Sequence, residues 1–136
     1  MRGLTAAPRW VGAIAADVAA VVVFATAGRS AHDESSGAAA VVTIAAPFLV
    51  GLLVGWIAMA RRQPFTVRTG VTLWLTTVVI GLVLRRTVWD RGTALSFVIV
   101  ATLVLGALIV GWRAMWVFGH RRRGLPSALP PSKAGR

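Results

Sequence analysis

The apolar residues of this chain fall into four continuous runs, separated by short polar segments that carry most of the arginines. The runs are rich in Ala, Val and Leu and do not alternate apolar with polar residues as barrel strands do. A helix needs about 20 apolar residues to cross the hydrocarbon core of a bilayer. The pattern therefore predicts an all-α integral membrane bundle of four transmembrane helices. The predicted spans are residues 10–27, 38–60, 69–84 and 95–118.

The third predicted span is short, with Arg68 before it and Arg85 and Arg86 after it. Long arginine stems reach the interface from just inside the hydrocarbon core, so a short span is tolerated. The predicted division of the chain is an N-terminal segment, one membrane domain and a basic, disordered tail, over residues 1–9, 10–120 and 121–136.

Composition agrees with a membrane protein, since 57% of the 136 residues are hydrophobic, against about 45–50% in soluble domains. A net charge of +11 would suggest nucleic acid in a soluble protein. Here the basic residues flank the apolar runs, as membrane proteins place them, so we expect no nucleic-acid partner. The absence of cysteine excludes disulfides, thiolate metal sites and thiol catalysis.

Basic residues also predict the orientation. Eleven of the 15 lie on the side of the two termini: Arg2, Arg9, Arg61, Arg62, Arg68, Arg113, Arg121, Arg122, Arg123, Lys133 and Arg136. The positive-inside rule then puts both termini in the cytoplasm and makes the chain a multi-pass protein of the cytoplasmic membrane. An alternative is that Met1 to Ala27 is a cleaved signal peptide ending in Ala25-Thr26-Ala27, although Asp17 within its apolar run argues against this.

Asp17 is the one acidic residue within a predicted span. A carboxylate at this position costs about 2.5–3.5 kcal/mol on insertion scales and usually faces a partner or a cavity. Asp17 lies seven residues after Trp10, hence about 10 Å inside the interface. Arg113 on the antiparallel fourth helix lies at nearly the same depth, which predicts an intramembrane pair. Arg68 is the second candidate partner, closer to water.

Three interpretations of Asp17 stay open. It forms an ion pair that specifies helix packing, it is the titrating site of a small ion- or solute-coupled transporter, or it faces another protein. With so few membrane residues, transport would require an oligomer.

Small residues predict close helix contacts. Gly51 and Gly55 form a GxxxG motif on the second span, for which a contact within the chain is favoured over a dimer. Gly106 lies on the face of the fourth span that leads to Arg113.

Catalytic and metal-binding patterns are not visible in the sequence, so we expect no enzyme, no cofactor and no metal site. His32 adjoins Asp33 and Glu34, but consecutive residues rarely converge on one metal ion. The cluster at residues 120–123 predicts attraction to anionic lipid headgroups at the cytoplasmic face. The other expected partners are the bilayer itself and a second copy or another membrane protein.

Several short motifs together resemble a known family, the prokaryotic membrane proteins catalogued as domain of unknown function three-zero-five-four. The motifs are Asp17, Gly28-Arg29, His32, Ala46-Pro47-Phe48, Arg68-Thr69-Gly70, Gly92 to Val100 and Gly111-Trp112-Arg113. The resemblance implies a small four-helix membrane protein without an established activity. The motif residues would form two clusters. In the predicted topology, Asp17, Arg68 and Arg113 would lie on the cytoplasmic side, and Arg29, His32, Arg85 and Thr93 would lie on the outer side.

The sequence thus predicts a non-enzymatic structural or accessory membrane subunit that acts through helix–helix contacts. The alternative is an oligomeric transporter that uses Asp17.

Overall fold

Four α-helices form the protein, which we describe from a computed structural model over residues 8–30, 37–88 and 93–123. The helices are α1 Arg9–Ser30, α2 Gly37–Ala58, α3 Val67–Thr87 and α4 Leu95–Arg123. All four are long and apolar enough to cross a membrane. The predicted fold class, an integral membrane bundle of four helices, is therefore confirmed.

Three helices, α1, α3 and α4, extend further than the predicted spans. α3 has 21 residues, since it begins before the predicted span, at Val67, and ends after it, at Thr87, so that it includes Arg68, Arg85 and Arg86. The side chain of Thr66 caps its first turn by accepting a hydrogen bond from the Thr69 backbone. α4 continues to Arg123, so the predicted tail begins as helix. Apolar runs underestimate such helices because the backbone continues through the interface, where arginine is tolerated.

The helices form a ring in which each one packs against two others, α1 and α3 both lying between α2 and α4. Contacts described below bring the start of α1 and α3 together with the end of α2 and α4. Because many of the arginines lie there, we call this the basic end of the bundle.

Close approach of α2 and α3 depends on glycine. A Cβ atom added to Gly51 would lie 2.8 Å from the Thr77 carbonyl oxygen and 3.0 Å from its Cα. Gly55 in turn faces the Thr76 side chain, and Gly81 of α3 faces the Phe48 ring. The GxxxG motif therefore lies against α3 of the same chain, where small residues let two backbones approach closely.

Trp74 of α3 covers the small-residue face of α4. A Cβ atom on Gly106 would lie 3.0 Å from the Trp74 indole, whose Nε1–H donates to the Thr102 carbonyl oxygen at 2.9 Å. The groove that Gly106 opens along α4 is thus filled by an aromatic ring of the same chain.

Candidate functional site

The two charges that the sequence places within the spans are in contact. Arg113 Nη1 donates to Asp17 Oδ1 and Arg113 Nη2 donates to Oδ2, both at 2.7 Å. Both side chains are 0% exposed. This is the bidentate arrangement in which guanidinium and carboxylate match best.

Two tryptophans complete the environment of the carboxylate. Trp56 Nε1–H of α2 donates to Asp17 Oδ2 at 3.1 Å, and Trp112 Nε1–H of α4 donates to Oδ1 at 2.9 Å. An ionised carboxylate has about four acceptor positions. Asp17 therefore receives as many donors as it has positions, and its burial leaves no lone pair without a partner.

The guanidinium is also held by backbone oxygens. Arg113 Nε donates to the Pro64 carbonyl oxygen and Nη1 donates to that of Ile109, each at 2.9 Å. The Trp112 ring centroid lies 4.3 Å from Arg113 Cζ, within cation–π range. Pro64 belongs to the segment between α2 and α3, so one arginine ties that connection to α4.

Gly70 of α3 makes room for the arginine stem. A Cβ atom at this position would lie 2.8 Å from Arg113 Cδ. The pair consequently touches all four helices: Asp17 comes from α1, Trp56 from α2, Gly70 from α3, and Trp112 and Arg113 from α4.

Aromatic rings pack at the same end of the bundle. Phe65 stacks on Trp116 with a centroid distance of 5.1 Å and meets Trp112 edge to face at 6.0 Å. The Arg9 guanidinium carbon lies 5.1 Å from the Phe65 centroid. Phe65 directly follows Pro64, so these rings fix the segment whose carbonyl holds Arg113.

Arg68, the second candidate partner of Asp17, is exposed and does not join the pair. It lines a cavity of about 470 Å³ together with Arg61, Arg62 and threonines of α3. Arg68 lies in the first turn of α3, so its side chain lies at the end of the helix rather than beside Asp17.

The outer-side cluster is only partly visible. The Arg85 guanidinium carbon lies 4.2 Å above the Phe97 ring, and Thr93 is half-buried. The Arg29 side chain and His32 lie outside the described residues, so their grouping with Arg85 stays a prediction. Within the described ranges, no three His, Asp or Glu side chains are placed to hold a metal ion.

The hydrogen bonds from Trp56 and Trp112 to Asp17 were not predicted from the sequence. The sequence did contain a signal, since Trp112 is adjacent to Arg113 and Trp56 lies in the last turn of α2, at the basic end of the bundle. The Pro64 carbonyl could not be predicted, because backbone acceptors carry no residue-type signature.

Replacing Trp56 with phenylalanine is expected to lower the free energy of unfolding by about 1.5–3 kcal/mol, because the charged Asp17 loses one hydrogen bond while the aromatic volume is largely kept. Thermal unfolding in detergent measures this. Trp10→Phe is the matched control, since Trp10 is 54% exposed and should change stability little. Equal losses in the two variants would contradict the assigned role of the Trp56 hydrogen bond.

Comparison with models of known protein families gives a match over most of the chain. The family model described as a protein of unknown function, DUF3054, matches residues 14–116, which include Asp17, Trp56 and Arg113. Neither the curated proteins nor the solved structures contain a significant match.

Proposed function

The chain belongs to the DUF3054 family of proteins of unknown function, and we propose that it is a non-enzymatic subunit of the cytoplasmic membrane, with both termini in the cytoplasm, that acts through contacts with other membrane helices. The observation that carries the proposal is the saturation of Asp17 by four donors. A carboxylate used in this way holds helices in register, as buried polar groups do in other helical assemblies.

The same contacts count against the transporter alternative. A titrating carboxylate must meet water or the transported ion during its cycle. Asp17 is fully buried and its acceptor positions are occupied by Arg113, Trp56 and Trp112. Release of a proton or ion there would require four hydrogen bonds to rearrange.

One face of α1 suits a partner helix. Gly12, Ala15 and Ala19 follow one another at helical spacing and are exposed, and a Cβ atom on Gly12 would meet no atom of the described residues within 4 Å. Helices associate in lipid through packing of small side chains. This face is therefore available for contact with a second copy or with another membrane protein.

Cysteine cross-linking in native membranes tests the proposed contact, since the chain has no cysteine of its own. Ala19→Cys is expected to form a cross-linked product with a short bifunctional maleimide. Ala20→Cys is the matched control, because Ala20 is 6% exposed and faces the core. Equal yields for the two variants, or no product with Ala19→Cys, would contradict a contact between two copies through this face, since the reagent joins two thiols. Ion uptake that Asp17→Asn abolishes without loss of folded protein would favour the transporter.

Single introduced cysteines also test the orientation of the chain in the membrane. A cysteine at Ser127 is expected to be shielded from a membrane-impermeant maleimide in intact cells, and one at Ala31 is expected to react. The reason is the excess of basic residues on the side of the termini. The reverse labelling pattern would overturn the predicted orientation.

A further inference from the structure

A groove of about 740 Å³ opens at the basic end, between the start of α1, the end of α2 and the segment that joins α2 to α3. Part of its lining is apolar and includes Ile14, Leu53 and Ile57. Arg9 and Arg62 also line it and are exposed. The groove is thus cationic in one part and apolar in the other.

The two parts lie at different depths. Arg9 is the first residue of α1 and Ile14 follows five residues later, about 7.5 Å further along the helix. On α2, Leu53 and Ile57 belong to the last turns of the helix, whereas Arg62 lies beyond its end at Ala58. A bilayer that covers the apolar spans therefore places the arginines at headgroup level and the apolar wall beside the acyl chains.

We propose that this groove binds one anionic phospholipid, with its phosphate between Arg9 and Arg62 and one acyl chain along Ile14, Leu53 and Ile57. Guanidinium groups match phosphate oxygens in geometry and charge. None of the groove-lining residues that the structure describes is acidic, so the two arginines attract an anion without competition inside the groove.

A contact with an aromatic ring already positions the Arg9 side chain. Its guanidinium carbon lies 5.1 Å from the Phe65 centroid, and Phe65 itself stacks on Trp116. A side chain already positioned by such a contact loses less conformational entropy when it binds a ligand. Trp10, which also lines the groove, has the indole that membrane proteins favour at headgroup level.

The groove also adjoins the buried pair. The Trp56 ring lines the groove, while its Nε1–H donates to Asp17. An acyl chain in the groove packs against this ring and stabilises the orientation in which it donates. Bound lipid is therefore expected to raise the unfolding temperature of the protein as well as to occupy the groove.

Native mass spectrometry of detergent-purified protein tests the site with added phosphatidylglycerol and, in parallel, phosphatidylcholine. The wild type is expected to retain one phosphatidylglycerol in preference to phosphatidylcholine. Arg9→Gln with Arg62→Gln should weaken retention by about tenfold or more, since each basic contact with an anionic lipid contributes to binding. The matched control is Arg61→Gln with Arg122→Gln, which removes the same charge from this end of the protein without altering the described lining of the groove.

Three outcomes would overturn the proposal. Equal weakening in the two double variants would mean that general electrostatic attraction holds the lipid. Equal retention of the two lipids would exclude recognition of the anionic headgroup. Displacement of phosphatidylglycerol by an equal concentration of glycerol phosphate would show that the acyl wall contributes nothing. Ile57→Trp, which fills the apolar part and leaves both arginines, should reduce retention, and a normal unfolding temperature in each variant without lipid shows that it is folded.

Discussion

Arg113→Gln is expected to lower the free energy of unfolding by about 3–5 kcal/mol, because it leaves the Asp17 carboxylate buried without its counter-ion. The variant removes both donors at 2.7 Å from Asp17 and also the Nε–H that holds the Pro64 carbonyl oxygen. Titration with a denaturing detergent, followed by tryptophan fluorescence, measures the loss.

Arg68→Gln is the matched control for this variant. Arg68 lies in the first turn of α3, is exposed and carries the same charge. Exposed substitutions usually change stability by about 0.5 kcal/mol or less. A loss with Arg68→Gln as large as with Arg113→Gln would show that total charge at the basic end, rather than the buried pair, stabilises the bundle.

Gly51→Ala is expected to destabilise the protein by about 1–3 kcal/mol, the usual cost of overpacking a filled interior. The new Cβ atom would meet the Thr77 carbonyl oxygen at 2.8 Å, and a backbone atom can move away only if α2 and α3 separate. The loss should appear as a lower unfolding temperature in detergent.

Gly111→Ala is the control for the glycine substitution. Among the residues that the structure describes, a Cβ atom there would meet nothing within 4 Å, and alanine favours helix over glycine by about 1 kcal/mol. We therefore expect Gly111→Ala to be neutral or stabilising. The close packing of α2 on α3 would be contradicted if Gly51→Ala left the unfolding temperature unchanged or raised it, as expected for Gly111→Ala.

The helices could be predicted from the sequence because the bilayer fixes both their length and their composition. Their ends could not, since Arg68 is compatible with either the first turn of α3 or the segment before it, and Arg85 with either its last turn or the segment after it. Depth alone brought Asp17 and Arg113 to the same level, and the structure places the two in contact. Antiparallel helices in a bilayer share one coordinate, the distance from the interface, so residues at equal depth can be matched from the sequence.

The arrangement of the helices around one another in the membrane plane was much harder to predict from the sequence. The sequence does not tell which faces of the helices meet, so the hydrogen bond from Trp56 to Asp17 could not be predicted from depth alone. The exposed position of Arg68 illustrates the same limit, because an arginine near the right level joins the pair only if its side of the helix faces α1. Small residues gave partial lateral information, since Gly51 and Gly70 mark where another helix or a long side chain passes closely.

The buried pair of Asp17 and Arg113 links the four helices of the bundle. It contacts all four helices: hydrogen bonds join Asp17 of α1 to α2 and α4, and Gly70 of α3 packs on the Arg113 stem. Apolar packing alone permits helices to slide or rotate with little penalty in lipid, whereas a bidentate pair with two indole donors is satisfied in one register only. The pair is thus suited to hold a small bundle in one arrangement while its outer faces meet other helices.

The most direct test of this account is a double-mutant cycle between Asp17 and Arg113. We expect Asp17→Asn and Arg113→Gln each to be strongly destabilising alone, and the double variant to recover much of the loss, since no unpaired charge then remains buried. The account would be contradicted if Asp17→Asn were neutral or stabilising, or if the two losses simply added, because the carboxylate would then be kept for a purpose other than holding the helices together.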